Sequence, residues 1–418
     1  MKKVLPVFSL TAVLAVVLIA LTSCGKTAEN KLEIFTWWTA GGEADGLQAM
    51  VQVFSNENPG IEFVNAAVAG GAGQNAKAVL ATRMQGGNPP DSFQVHAGHE
   101  LIDSWVVAGK MEPIDFIFTN QMDKFPKGVL DIISYKGHIF SVPVDIHRAN
   151  VMWYNKKVFA ENKLKVPATW DEFFAVADKL KAKGIAPLAI GDNGIWASTM
   201  VFETVLIAKL GPDGYRGLWT GQTAWDSDGV KDAIKTFVKV LGYINDNHNA
   251  LSWDQAAQLV ADGKCAMTIM GDWAEGYFTS KGLKPNVDYG WAIAPGNKGS
   301  YEMLSDSFGL PIGAAHRANA IKWLQLCASK EGQEAFNPKK GSISSRNDCN
   351  RSLFDIYLQS AMDDFNKDNI LPSLAHGAAA SESWLTMCND VMTLLVTDKD
   401  VEKADAGFVD AAKKSLKM

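Results

Sequence analysis

The chain has 418 residues, 47% hydrophobic and 21% charged, which is enough for two or three ordinary globular cores. Its formal charge of −6 argues against nucleic acid or an anionic membrane surface as the main partner and leaves a neutral ligand open.

Lys2 and Lys3 precede an apolar run over 4–21 that closes in Leu21-Thr22-Ser23-Cys24. A basic start, an apolar core and small residues before a cut site make an export signal. The run is nearly long enough to span a bilayer, so a retained anchor is the alternative. The four closing residues resemble the lipobox of bacterial lipoproteins, where the Cys thiol is lipidated and becomes the mature N-terminus. That resemblance implies a signal peptide over 1–24 with lipidation at Cys24, a polar tether over 25–31, and an exported body held to the membrane by its lipid alone.

Leu32-Glu-Ile-Phe-Thr-Trp-Trp38 alternates and predicts a first strand, running into Thr39-Ala-Gly-Gly-Glu43. Leu47, Met50, Val51 and Phe54 recur at helical spacing. A second strand is expected over 61–68, a helix opening at Gly70-Gly-Ala-Gly73, and a third strand at Ser92-Phe-Gln-Val95 that ends at His96. This alternation predicts an α/β fold with a largely parallel sheet. Ligands of such sheets sit outside the carboxyl ends of the strands, where Trp37, Trp38, Glu43, Gln94 and His96 fall.

The segment 141–155 places polar Asp145, His147, Arg148 and Asn150 between two apolar runs, with Pro143 pinning the first. It reads as extended chain crossing between two lobes, or as the central strand of one domain with polar residues at its end. Thr169 and Glu172 form a capping box for a helix carrying Phe173, Val176, Ala177 and Leu180. Further on, a strand is predicted over 187–190, a helix through Val230, Ile234, Phe237 and Leu241, a helix opening at Trp253, and a buried strand over 265–270 that ends in Gly271-Asp-Trp273. The segment 303–311 has apolar flanks, a polar kink at Ser305 to Ser307 and a closing Pro311, and is expected to be a second crossing. One helix over 318–336 and a third crossing over 337–343 follow, and the rest is mostly helical. Cys265 and Cys327 read as buried free thiols; the spacing of Cys349 and Cys388 leaves a pairing open.

Gly71-x-Gly73-x-x-Ala76 matches the dinucleotide fingerprint, but the strand before it is the second, and the acid that should follow, Asp91, sits in a turn. No P-loop or nucleophile elbow occurs. His96-x-x-His99-Glu100 lacks a third ligand with zinc spacing. Asp272 and Asp306 would suffice as a glycosidase pair. Trp38, Trp253 and Trp273 each lie beside turns or polar residues. With Glu43, Gln94, His96, Asp306, Lys340 and His376 they compose the mixture a buried monosaccharide requires: aromatic faces for its C–H surfaces, and charged groups that donate to and accept from its hydroxyls.

Pro167-x-Thr-Trp-Asp-Glu-Phe173, Gly263-Lys-x-Ala-Met267, Gly271-x-Trp273 and the segment from Val142-Pro to Tyr154-Asn155 resemble the bacterial extracellular solute-binding proteins, family 1, the sugar-binding components of ABC transporters. The resemblance covers the chain after about residue 31. Phe35-x-Trp37-Trp38, Gln94-Val-His96-Ala-Gly98, Leu304-Ser-Asp-Ser-Phe-Gly309, Phe336-Asn-Pro-x-Lys-Gly-Ser-Ile343 and His376-Gly-Ala378 bring it nearest to the glucose/galactose-binding subgroup. It implies a two-lobe periplasmic-binding-protein-like fold, type II and maltose-binding-protein-like, with three interlobe crossings. The lobes would comprise 32–142 with 307–341, and 143–306 with 342–418. The implied ligand set is Trp37, Trp38, Glu43, Gln94, His96, His147, Trp253, Trp273, Asp306, Lys340 and His376, with no catalytic residue, metal or cofactor. The implied partners are a monosaccharide of the glucose, galactose or mannose type and the transmembrane subunits of an ABC permease, with membrane contact through the N-terminal lipid only. An exported glycoside hydrolase and an oligosaccharide-binding protein are the alternatives. Two departures from the pattern stand out: Gly41-Gly42 precedes Glu43, and Asp145 stands where an amide is usual.

Overall fold

A computed structural model describes residues 30–416, so the expected export signal, Cys24 and most of the expected tether lie outside the described residues. Lys31–Phe35, which buries Leu32, Ile34 and Phe35, pairs in parallel with Glu62–Asn65 on one side and Ser92–His96 on the other. Asp306–Gly309 lies antiparallel beside Ser92–His96, with Asp306 opposite His96, and Ser141–Pro143 lies antiparallel beyond it. The expectation of a largely parallel sheet therefore holds for three strands of five. The fourth strand enters from the other lobe through Ser305, so its direction is set by that crossing and not by a strand–helix–strand unit.

The second lobe is built on a four-stranded sheet in the order Tyr289–Ile293, Val151–Asn155, Cys265–Ile269, Ala186–Ala189, antiparallel except for the last pair. Each sheet has its own core. Ile34, Phe93, Val95, Phe308 and Trp323 pack in one, and Trp153, Phe173, Val205, Phe237 and Met267 in the other. Burying side chains of this size contributes about 1.5–3 kcal/mol each, so each lobe has a substantial core of its own.

A small third sheet holds Asn369–Pro372, Ser300–Leu304 and His147–Arg148 at the junction. Three crossings run side by side there. The first passes from Ser141–Pro143 to His147–Arg148, and the second needs only Ser305 between Leu304 and Asp306. The third lies at 341–346, where Ile343 exchanges backbone hydrogen bonds with Ile146 at 2.8 and 3.1 Å. Ser305 Oγ donates to the Asp145 carbonyl at 2.6 Å, stitching the first two crossings.

The third crossing is shorter than expected, because residues 337–340 finish the helix Lys330–Lys340 despite Pro338. The single helix expected over 318–336 is two, Arg317–Ala328 and Lys330–Lys340. Ser329 adopts an extended conformation between them, and its Oγ accepts from the Gly332 amide at 2.9 Å. The Thr169–Glu172 capping box is present, and Ser252 with Gln255 forms another at the start of Trp253–Ala261. A long helix the sequence reading did not anticipate, Trp196–Thr220, breaks its regular geometry at Gly211, with φ 67°, just before Pro212. Cys265, Cys327, Cys349 and Cys388 are all free thiols.

Candidate functional site

The carboxyl ends of the first-lobe strands point to the junction and deliver their next residues to a narrow cavity there. Trp37 follows Lys31–Phe35, His96 ends Ser92–His96, and Asp306 starts the strand returning between the lobes. Glu43 lies in the first turn of Gly41–Glu57, and Lys340 ends Lys330–Lys340. From the other side, Trp253 and Trp273 are the first residues of Trp253–Ala261 and Trp273–Ser280, and His376 sits in the loop after Asn369–Pro372. These eight residues all line the cavity.

Trp38, Gln94 and His147 stand immediately behind that wall. Trp38 packs against Phe308 and Phe336, with the Lys340 ammonium 5.5 Å from its ring centre. Gln94 accepts from the Trp37 amide at 3.1 Å and donates to Asp306 Oδ1 at 2.8 Å, fixing two lining residues at once. His147 is fully buried, bonded through Nδ1 to Asp272 and packed edge-on against Trp273.

Sequence reasoning missed Ala72, Trp196 and Leu304, which complete the lining. Trp196 follows the strand end Ala189-Ile190-Gly191-Asp192, the same signal that singled out Trp37 and Trp273. Its ring packs against Trp273 and His376, at centroid distances of 6.2 and 5.8 Å.

Electrostatics divides the wall by role. His96 Nδ1 meets Glu100 Oε2 at 2.7 Å, and Lys77 reaches the same oxygen at 2.8 Å. Burial opposes the Glu100 charge, but Lys77 and His96 outweigh it and hold that carboxyl down at about 2. With Nδ1 committed to Glu100, Nε2 is the His96 atom left for a ligand. Burial, reinforced by His96 and Lys77, holds His376 neutral, well below the usual imidazole range. Its Nδ1 is engaged with Ser373 Oγ at 2.9 Å. Lys340 stays charged: burial opposes it, while Glu43, 3.3 Å away, and Asp306 favour it. Burial raises the Glu43 and Asp306 carboxyls above their ordinary values, so each is a strong acceptor for a hydroxyl in a dry site.

The two lobes meet around the cavity. The Glu100 amide donates to the Gly377 carbonyl at 3.0 Å, and Lys77 also lies 3.6 Å from Glu382. Trp37, Trp253 and Trp273 are all below 8% exposed.

Two earlier candidates dissolve on this geometry. His99 is exposed and pairs with Asp103, so it shares no site with His96. Asp272 is fully buried and does not line the cavity; one of its oxygens is bound to His147 and the other accepts from the Arg148 amide at 3.0 Å.

The His376 loop is held from below by Glu203, which accepts from the amides of Leu374 and Ala375 at 2.5 and 2.9 Å and from the Tyr215 hydroxyl. Burial pushes the Glu203 carboxyl up to about 7. Glu302 is raised further by burial and by Glu203, and neither of its buried oxygens has a donor. Above about pH 4.5 the unfolded chain releases these protons while the folded chain retains them. The unfolded state then binds fewer protons, so stability should fall as pH rises from about 4.5 to about 7, by on the order of 3 kcal/mol. Glu302→Gln replaces this raised carboxyl with an amide that does not titrate. Urea denaturation at pH 5 and pH 8 should show a flatter profile for the variant, and an unchanged slope would remove the pair as its source.

A profile of the bacterial extracellular solute-binding proteins matches residues 40–334. An uncharacterized ABC transporter extracellular-binding protein of Pyrococcus horikoshii is 42% identical over 392 residues, covering 93% of this chain and 88% of its own. A probable sugar-binding periplasmic protein of Brucella suis is 32% identical over 398 residues, 92% of this chain and 93% of its own. Among solved structures, a bacterial solute receptor, AcbH, described as exclusive for β-D-galactopyranose, superposes with a TM-score of 0.82 at 19% identity, over 93% of this chain and 99% of that one. Profile, relatives and fold agree, and the chain belongs to the bacterial extracellular solute-binding protein family.

Proposed function

We propose that this chain is the exported sugar-binding component of an ABC transporter. It would enclose one monosaccharide of the glucose, galactose or mannose type between its lobes and present it to the transmembrane permease. The observation that carries this reading is the cavity. Four tryptophans offer apolar faces, and Glu43, His96, Asp306, Lys340 and His376 form a hydrogen-bonding rim. The name of the Brucella relative supports a sugar as the ligand, and the galactopyranose receptor is a case of this fold holding a monosaccharide.

The lobes in this reading are 32–142 with 307–341, and 143–306 with 342–418, in keeping with the two separate cores. No covalent chemistry is assigned. Of the carboxylate pair a hydrolase would need, Asp306 borders the cavity while Asp272 is spent behind it. Calorimetry against monosaccharides and disaccharides tests the reading: saturable binding of one hexose, with disaccharides at least tenfold weaker, is expected. Tighter binding of a disaccharide would shift the function to oligosaccharide capture, and release of an aryl aglycone would make it a hydrolase.

The membrane anchor belongs to the same proposal. Cys24→Ser should leave the precursor unprocessed or the mature chain free of the membrane fraction. A variant that fractionates and migrates like the parent would remove the lipid.

A further inference from the structure

We propose that Asp145, His147 and Asp306 hold a divalent cation of the zinc or manganese type where the interlobe crossings meet. Asp145 and His147 stand behind the cavity wall, and the site shares Asp306 with that wall. His147 Nε2 lies 3.4 Å from Asp145 Oδ2 and 3.9 Å from Asp306 Oδ2, and one donor atom from each residue falls within 4.8 Å of the other two. Donors around a tetrahedral cation at about 2.0–2.1 Å stand about 3.3 Å apart, so the set closes on an ion by drawing in from separations of up to 4.8 Å.

The remaining atoms of all three residues are already committed. Asp145 Oδ1 accepts from the Asp306 amide at 2.7 Å, and Asp306 Oδ1 accepts from Gln94 Nε2 at 2.8 Å. His147 Nδ1 is bonded to Asp272, itself fixed by the Arg148 amide. A carboxylate behind the far nitrogen is the support that metal-binding imidazoles use to fix their tautomer and orientation.

Two atoms in this cluster have no hydrogen-bond partner, Asp145 Oδ2 and His147 Nε2. Both belong to fully buried residues, and they face each other across the gap. With Nδ1 directed to Asp272, Nε2 faces two carboxylates across a gap suited to a positive charge, which is either a proton on Nε2 or a metal cation in its place. The charges around the gap give the same answer. Asp145, Asp272, Asp306 and Glu43 surround it, and Lys340 is the lysine facing them. Uncompensated buried charge is costly, and a divalent ion removes two units of the excess. One imidazole with two carboxylates is a donor set for zinc or manganese more than for magnesium or calcium.

Asp145 and His147 flank the first crossing and Asp306 the second, so the cation would tie the two together at their narrowest point. The test uses the purified full chain, stripped with chelator and titrated calorimetrically with zinc chloride and then manganese chloride. One equivalent should bind, raise the melting temperature and lose at least 100-fold in affinity in Asp145→Asn and in His147→Gln, with folding followed by circular dichroism. X-ray absorption at the zinc edge of the parent protein needs no variant and should report nitrogen and oxygen ligands without sulfur. No stoichiometric uptake of either metal would overturn the site and leave a proton on His147 as the occupant. Unchanged affinity in the folded variants, or a sulfur ligand, would overturn it too. Sugar calorimetry on the stripped protein is separate, so loss of either proposal leaves the other standing.

Discussion

Trp273→Ala should weaken sugar binding by about 30- to 1,000-fold, the equivalent of roughly 2–4 kcal/mol for a central buried aromatic. Trp273 starts a helix at the cavity wall and is 5% exposed. Its ring touches His376, His147 and Trp196 at centroid distances of 5.1, 5.4 and 6.2 Å, and the Lys340 ammonium stands 6.0 Å from its centre. Gly271 is packed so tightly against the ring that a Cβ there would come within 2.1 Å of it, so the indole is held in one place before any ligand arrives. Truncation removes the stacking face and leaves Lys340 and His376 less constrained. Calorimetry on a variant with the parent's circular dichroism spectrum is the check; parental affinity would make Trp273 a packing residue only.

The second large effect should come from one methyl group. Gly276 lies within the helix Trp273–Ser280, and a Cβ added there would meet the Lys340 and Lys339 carbonyls at 2.3 and 2.9 Å. Those carbonyls end the helix Lys330–Lys340, assigned to the opposite lobe. If the lobes part to admit a sugar, that form would relieve the clash, and Ala is favoured over Gly in a helix by about 1 kcal/mol. Gly276→Ala should therefore melt at or above the parental temperature without sugar, yet bind sugar about 10- to 100-fold more weakly, because overpacking of this kind costs roughly 1–3 kcal/mol in the closed form only. Scattering profiles with and without saturating sugar should show a smaller compaction than in the parent. Loss of stability together with unchanged affinity would mean that the contact belongs to the fold and not to closure.

Much of this arrangement was legible in the sequence because it is local. Trp37, His96 and Trp273 fall at the ends of short apolar runs, and the capping box at Thr169 is a spacing rule with a mechanism. The crossings at 141–155 and 303–311 announced themselves as apolar runs interrupted by polar residues. What was not legible is nonlocal. Nothing around Asp306 reveals that its strand runs antiparallel beside Ser92–His96, since that partner is some two hundred residues earlier. Trp38 and Trp37 are adjacent and chemically equal, yet alternation along the extended chain sends one to Phe308 and Phe336 and the other to the cavity. Ser329 divides a helix whose apolar pattern continues through it, and Pro338 sits in a helix that its identity alone would have ended. Trp196 was missed because the residues between 191 and 229 were given no element.

The position of Asp306–Gly309 has a kinetic meaning. It is the fourth strand of the first sheet, between Ser92–His96 and Ser141–Pro143, and it carries the Ser92–Gly309 hydrogen bond across 217 residues of chain. During synthesis the first lobe cannot complete its sheet until the 143–306 part of the second has been made. Ser141–Pro143, whose ladder partner is Asp306–Gly309, waits throughout that interval. Closing so long a loop carries an entropic cost that must be met before the contacts return anything, which places slow, late steps in the assembly of this lobe. The strand made first, Lys31–Phe35, thus belongs to a sheet that is among the last parts of the molecule to be fixed.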